Sequence, residues 1–228
     1  MFDKIISLEN LFSAWQEFRC GKRNRSDVQE FERNLEDNIF ALHDDLKNGN
    51  YHHSEYHRFH IFDPKHRIIH KATVRDRLVH HAVYRVLLPV FEQGFVFDSY
   101  SCRVGKGTHA AVRRLEKFVR RVSKNYSSSC FGLKFDIKKF FTSVDHEILL
   151  KILQRKIVDS KTIGLLSEIV GSFRSEMVSA LRPGSEPENF REASNSRGGG
   201  VRRKCQTVWI ADRKFNLTIV CQCLLGRI

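Results

Sequence analysis

Residues 56–83 read YHRFHIFDPKHRIIHKATVRDRLVHHAV, and their apolar positions change from an alternating pattern to a helical one. Phe59 and Ile61 alternate with basic residues, a proline-containing turn follows at 63–66, and extended basic sequence continues to residue 70. This pattern predicts a β-hairpin with a basic turn. Thr73 then predicts the N-terminal cap of a helix. The apolar positions of that helix are Val74, Leu78, Ala82, Val86 and Val90.

The first 50 residues predict helices that serve as packing elements. Ser7 is placed to cap a first helix, which stops at Gly21. Ser26 and Gln29 match a capping box for a second helix, and Gly49 is expected to end it. The apolar stripe of the second helix consists of Val28, Phe31, Leu35, Ile39, Leu42 and Leu46.

On the C-terminal side of the hairpin, a loop at 98–107 leads into a helix that Thr108 opens. We expect this helix to bury an apolar face formed by Ala111, Leu115, Phe118 and Val122. The opposite face carries the cations Arg113, Arg114, Lys117, Arg120, Arg121 and Lys124. Two interpretations of this basic face stay open: a solvated charged surface, or a surface that faces phosphates.

The run from Cys130 to Phe141 is bounded by serines and by Asp145, and its first half predicts a buried strand with Asp136 near its end. A carboxylate there can support metal-assisted chemistry, although a capping or turn aspartate is commoner. Asp145 predicts the cap of a helix bearing Ile148, Leu149, Ile152 and Leu153, and a further helix covers about 161–173. After Arg174, serine, arginine, glycine and glutamate dominate, which predicts a linker or disorder.

The composition favours a polyanionic partner. Lys plus Arg is 39 and Asp plus Glu is 26, a formal net charge of +13, so nucleic acid is the simplest partner. No apolar run reaches the ~18 residues of a membrane span, so we expect no membrane partner. The six cysteines form no C-x-x-C pair and the N-terminus does not resemble a signal peptide, so a reduced, cytoplasmic location is expected.

Three segments in fixed order carry a family resemblance: DPKHRIIHKATVRDRLVHHAV (63–83), DSYSCRVGKGTHAA (98–111) and KFDIKKFFTSVDHEILL (134–150). Together they resemble the first motifs of bacterial reverse transcriptases, of the group II intron and diversity-generating retroelement type. The resemblance covers roughly residues 51–173. It implies an α+β fold, the fingers and partial palm of a right-hand polymerase. The expected parts are an N-terminal helical segment (1–50), a fingers-like region (51–130), a partial palm (131–175) and a disordered or frameshifted tail (176–228).

The resemblance also implies roles for individual residues. Asp136 matches the first metal-binding aspartate, with the Ile137 carbonyl as a further Mg²⁺ ligand, and Phe141 matches the gate against ribonucleotides. Lys65 and Arg67 match the pair that holds the triphosphate of a deoxynucleotide. The residues expected along the RNA template and DNA primer are Arg75, Arg77, Arg103 and Lys106. Apart from the resemblance, Arg113 and Lys117 on the basic helix face are further candidates for nucleic-acid contact.

An alternative stays open for Arg75 and Arg77, namely an ion pair with a nearby acid such as Asp76 or Glu92. The family pattern is also incomplete, because two-metal transfer needs several carboxylates and the expected Tyr-x-Asp-Asp hairpin does not occur in this sequence. The Asp44–Asp45 pair lies within an N-terminal helix, where we expect solvated surface.

The tail suggests a reason for the missing motif. Read one base late, codons for Trp209–Leu225 can encode GLPIGNLTSQLFANVYL, a string typical of this family just before that hairpin. We therefore hypothesise a frameshift between residues 174 and 208, which the nucleotide sequence would test directly.

Two functions follow. The first is a member of the RNA-directed DNA polymerase family that is truncated before its catalytic centre is complete and is inactive alone. The alternative is a non-catalytic, maturase-like module that binds structured RNA, or a pseudogene product.

Overall fold

The computed structural model describes residues 1–62, 66–100, 103–134 and 144–173. It begins with two short helices, α1 (Phe2–Ile6) and α2 (Leu8–Arg19). Ser7 caps α2 as predicted, since its Oγ accepts a hydrogen bond from the Asn10 backbone N–H at 3.3 Å. The sequence did not predict α1, whose single turn is too short to show an apolar period.

The predicted second helix is in fact two helices, α3 (Ser26–Arg33) and α4 (Leu35–Asn48). The break lies at Asn34, whose φ of −120° and ψ of 45° leave the helical region. The capping-box prediction is wrong, because Arg25 is the N-cap of α3 and Ser26 already lies inside the helix. Gly49 ends α4 as predicted, with a φ of +76° that favours glycine.

The two strands of the predicted hairpin are confirmed, whereas residues 63–65 of its predicted turn lie outside the described residues. Strands β1 (His57–Ile61) and β2 (Arg67–Lys71) pair antiparallel, with Phe59 opposite Ile69 and His60 opposite Ile68. The described residues are therefore α+β, mostly helical with one two-stranded sheet.

A long central helix, α5 (Val74–Glu92), organises the core. Thr73 caps it as predicted, because the Thr73 side chain accepts a hydrogen bond from the Asp76 backbone N–H. The helix packs chiefly against α2 and also against α1 and α3. The fully buried apolar side chains of α2 and α5 at this contact include Leu11, Trp15, Phe18, Leu78, Val79, Ala82 and Val83.

Three more helices follow in the described part of the chain: α6 (Thr108–Val122), α7 (His146–Gln154) and α8 (Ser160–Ser172). Asp145 caps α7 as predicted, by accepting hydrogen bonds from the backbone N–H groups of residues 147 and 148. Asp159 caps α8 and also accepts from the Phe2 backbone N–H at 2.6 Å. Buried residues of α7 and α8 belong to the same core as those of α1–α5.

The prediction of a buried strand from Cys130 is wrong for residues 130–134, which are exposed and form no strand. Phe131 is 86% exposed, and no described strand pairs with this segment to satisfy its backbone groups and cover its side chains. The rest of that strand, with Asp136, and the tail after 173 lie outside the described residues. Among the described helices, none is both long and apolar enough to cross a membrane.

Candidate nucleic-acid interface

Helix α6 presents a basic face and an apolar face, and both are open to solvent. The predicted burial of its apolar face is wrong: Leu115 is 62% exposed, and Val112 and Val122 are similarly open. The reason is tertiary, because none of the other described elements packs extensively against α6. The helix thus projects its basic face from the described core.

The cations of α6 divide into paired and available groups. Arg114 pairs with Asp98 at 2.8 Å and Arg120 pairs with Glu116 at 2.7 Å. Three further cations are exposed and make no ion pair with a described residue, namely Arg113, Lys117 and Arg121. They are spaced four residues apart, so they follow one side of the helix with about 6 Å between neighbours.

The sequence did not single out Asp98, which positions Arg114. Hydrogen bonding from Arg114 lowers the pKa of this carboxyl group, and the same bond raises the pKa of the guanidinium. Tyr100 also donates to Asp98, at 3.1 Å. An acid two residues before a tyrosine, among basic segments, is the signal that could have identified this contact.

The loop before α6 is held by two of the predicted residues. Arg103 is only 11% exposed on its side chain, and it donates to the carbonyls of Val96 and Ser99 while pairing with Glu92 at 3.4 Å. Lys106 donates to the Phe97 carbonyl, and its ammonium lies 3.8 Å from the centre of the Phe97 ring. Both residues therefore shape the loop from within.

Arg75 and Arg77 both form ion pairs, and of the two acids that the sequence alternative named, only Asp76 is a partner, of Arg75. Arg77 is 2% exposed and donates to Asp27 at 2.5 Å, with its guanidinium 5.0 Å from the Phe18 ring centre. Its charge is thus used inside the fold.

Arg75 donates to Asp45 at 2.8 Å and lies 3.8 Å from Asp76, an ion pair that the sequence alternative had named. Asp45 is therefore a partner of Arg75, although 42% of its side chain is exposed, and Asp44 is exposed as expected. Glu92, the other acid considered, pairs instead with Arg103.

Most of the residues predicted to bind the nucleotide and the metal cannot be compared with the structure. Lys65, Asp136, Ile137 and Phe141 lie outside the described residues, and of Arg67 only its place at the start of β2 is described. Within the described part of the chain, no three His, Cys, Asp or Glu side chains cluster closely enough to hold a metal ion.

A buried polar cluster joins the base of the hairpin to α5, and the sequence did not predict it. Asp76, 0% exposed, accepts hydrogen bonds from the hydroxyls of Tyr51 at 2.9 Å and Thr73 at 2.6 Å, and from the Ser54 backbone N–H at 3.1 Å. Burial acts to raise the pKa of Asp76, but the hydrogen bond from Thr73, the nearby His53 and the hydrogen bonds from Tyr51 and Ser54 together hold it below its usual value.

The same cluster connects to α8. The His53 ring stacks on His80 of α5 with centroids 5.2 Å apart, and the His53 backbone N–H donates to Glu168 of α8 at 3.1 Å. Tyr56 Oη lies 3.3 Å from Ser172 Oγ at the end of α8. The cluster therefore fixes the hairpin and the last described helix to the central helix.

Comparisons with known proteins place this geometry in context. Over 92 residues, 40% of the chain, it is 27% identical to nuclear intron maturase 1, mitochondrial, of Arabidopsis thaliana. Over 98 residues, 43% of the chain, it is 29% identical to an uncharacterized 91 kDa protein in the cob intron of Schizosaccharomyces pombe. The chain is similar to maturase and intron-encoded proteins.

A further relative is the protein YkfC of Escherichia coli, 27% identical over 127 residues, 55% of the chain. The matched regions span 12%, 11% and 33% of the maturase, the cob-intron protein and YkfC respectively. No family model matches the chain.

Proposed function

We propose that this chain is a maturase-like RNA-binding protein related to reverse transcriptases, and that α6 holds the phosphate backbone of a structured RNA. The observation that carries this proposal is the row of exposed cations Arg113, Lys117 and Arg121, which have no acid partner among the described residues. Arginine forks onto phosphate oxygens and lysine supplies a point charge, so the row suits a polyanion. The net charge of +13 attracts the same partner over longer distances.

The other predicted residues take supporting parts in this proposal. Arg103 and Lys106 hold the loop from which α6 starts, so they position the basic row. Arg75 is partly exposed and is placed to assist, whereas Arg77 is buried against Asp27 and is left out of the proposed surface. The similarity to a protein named as an intron maturase supports intron RNA as the partner class.

The salt dependence of RNA affinity tests this function. We expect the slope of log affinity against log salt to be about −0.9 per phosphate contact on duplex and about −0.7 on single strands. The triple variant Arg113→Gln, Lys117→Gln, Arg121→Gln should make the slope shallower by about 2 to 3, because three phosphate contacts are lost.

The matched control is Arg23→Gln, Arg33→Gln, Lys47→Gln, which removes the same charge from exposed positions outside α6. It should leave most of the slope unchanged. Equal slopes for the two triple variants would contradict a specific role for α6.

A second candidate function concerns templated DNA synthesis. The sequence around Asp136, with Ile137, Phe141 and the pair Lys65 and Arg67, favours an ancestry in RNA-directed DNA polymerases that use Mg²⁺, deoxynucleoside triphosphates and a DNA primer. In the proposed intact relative, Asp136 and the Ile137 carbonyl would help hold Mg²⁺, and the metal would supply positive charge to the transferring phosphoryl group.

We expect this chain alone to show no primer extension on an RNA template, because the sequence lacks the Tyr-x-Asp-Asp carboxylates. Templated synthesis that disappears in the Asp136→Ala variant would contradict this expectation. The salt-dependent RNA affinity should survive Asp136→Ala, which separates binding from chemistry.

A further inference from the structure

The described end of the hairpin carries three nearly parallel aromatic rings, His60, Phe62 and His66, which we call the ring stack because the Phe62 ring stacks on that of His66. The planes of His60 and His66 differ by 7° with centroids 5.0 Å apart, and Phe62 lies 4.8 Å from His66 at 20°. The His60 and Phe62 rings are 6.3 Å apart at 18°. A hydrogen bond of 2.7 Å between His60 Nδ1 and His66 Nε2 holds the two imidazoles side by side in nearly one plane, because a ring N–H donates in the plane of its own ring.

This ring stack does not serve the core. Phe62 is 74% exposed, and both histidines are also exposed. Burial of apolar surface is the usual use of phenylalanine, so an exposed ring held parallel to two imidazoles is a feature that folding alone does not explain.

The charge of the hairpin sequence indicates what the ring stack can bind. Within residues 57–71 the sequence has the cations Arg58, Lys65, Arg67 and Lys71 against the single acid Asp63, although Lys71 is already paired with Asp27 at 2.7 Å. Planar π surfaces bordered by cations are the combination that binds single-stranded nucleic acid, because bases stack on the rings while the cations attract phosphates.

We propose that the ring stack is a platform on which unpaired bases of RNA stack, a second contact point distinct from the row on α6. The proposal rests on the RNA-binding function above and adds its partner: single-stranded segments rather than duplex alone. Any of the four bases can use such a platform, since every base has a π face. The expected specificity is therefore for exposed bases, not for a sequence.

The test uses the full chain with two 12-nucleotide probes, oligouridylate and a matched abasic ribose-phosphate strand. Phe62→Leu keeps an apolar side chain but removes the aromatic face. We expect it to weaken oligouridylate binding about tenfold and to leave abasic-strand binding unchanged. Phe40→Leu is the matched control, because Phe40 is a 46% exposed phenylalanine on α4; it should change neither affinity.

A direct readout comes from Phe62→Trp. Tryptophan fluorescence at this position, taken as the difference from the wild-type chain, should be quenched by oligouridylate and not by the abasic strand. The stacking proposal would be overturned if Phe62→Leu bound oligouridylate as tightly as the wild-type chain, or if oligouridylate did not quench the fluorescence of Phe62→Trp. The proposed RNA binding by α6 would survive either result if RNA affinity still fell with salt as expected. That proposal would be contradicted if the wild-type chain bound neither probe.

Discussion

Replacing Asp76 with alanine is expected to lower the free energy of unfolding by about 3 to 5 kcal/mol. The Asp76 carboxylate is fully buried and accepts hydrogen bonds from Tyr51, Ser54 and Thr73. Alanine would leave buried donors without partners, and each such donor costs about 1 to 3 kcal/mol. Urea denaturation followed by far-ultraviolet circular dichroism measures the change.

Two further variants make this prediction sharper. Tyr51→Phe removes one hydroxyl donor and leaves the other two hydrogen bonds to the carboxylate, so we expect a loss of about 1 to 2 kcal/mol. Asp98→Ala removes an acid of the loop before α6, which is hydrogen-bonded to Arg114 and Tyr100 outside the core, and it should leave the urea midpoint close to wild type. Similar midpoints for Asp76→Ala and Asp98→Ala would show that the cluster does not stabilise the fold.

Stability should fall as the pH drops from about 6.5 to about 4, and the histidines His80 and His81 are both expected to cause the fall. Burial lowers the pKa of His80 to about 4, with His53, His81 and Arg77 acting in the same direction and Asp76 against them. Burial, Lys22 and Arg77 likewise lower the pKa of His81 to about 4.

The direction of the change in stability with pH follows from which state of the chain binds more protons. Between the folded pKa of about 4 and the unfolded value near 6.5, the unfolded chain takes up a proton that the folded His80 refuses. The free energy of unfolding is therefore not reduced by His80 above about pH 6.5. It falls by about 3 kcal/mol on account of His80 as the pH approaches 4. The depressed pKa of Asp76 acts in a different window, because its contribution is complete above its unfolded value near 3.9 and is lost only as the pH falls through its lower folded value.

The measurement is the free energy of unfolding at half-unit steps from pH 7 to pH 4.5. His80→Leu replaces a buried imidazole whose Nε2 has no partner among the described residues, so it should make this part of the curve shallower and leave the contribution of His81. His109→Leu, at an exposed position on α6, is the control and should keep the wild-type slope. An unchanged slope in His80→Leu would assign the acid sensitivity to other groups.

A loss of stability at the Asp76 cluster should affect the ring stack on the hairpin more than the basic row on α6. The cluster around Asp76 fixes the hairpin base and α8 to α5, so Asp76→Ala should loosen the hairpin that carries the ring stack. Helix α6 has no extensive contact with the other described elements. Its basic row is thus not in extensive contact with the cluster, and the proposed RNA binding by α6 can be tested in variants that retain their fold.

The sequence by itself determined the elements whose signals are local. Ser7, Thr73 and Asp145 cap their helices because a side-chain oxygen needs only the next few backbone N–H groups. Gly49 ends α4 because its left-handed conformation is a property of that one residue. The hairpin followed from alternation and a turn, and the basic face of α6 followed from helical spacing.

Only the tertiary structure decided which charges are used inside the fold and which surfaces stay open. Arg77 meets Asp27 fifty positions away, Arg75 meets Asp45 thirty positions away, and no local pattern encodes such pairs. The apolar face of α6 looks like a core face in sequence, yet it is exposed because burial needs a second surface and none of the described elements provides one. Periodicity specifies which side chains share a face, whereas the packing of distant segments determines what that face contacts.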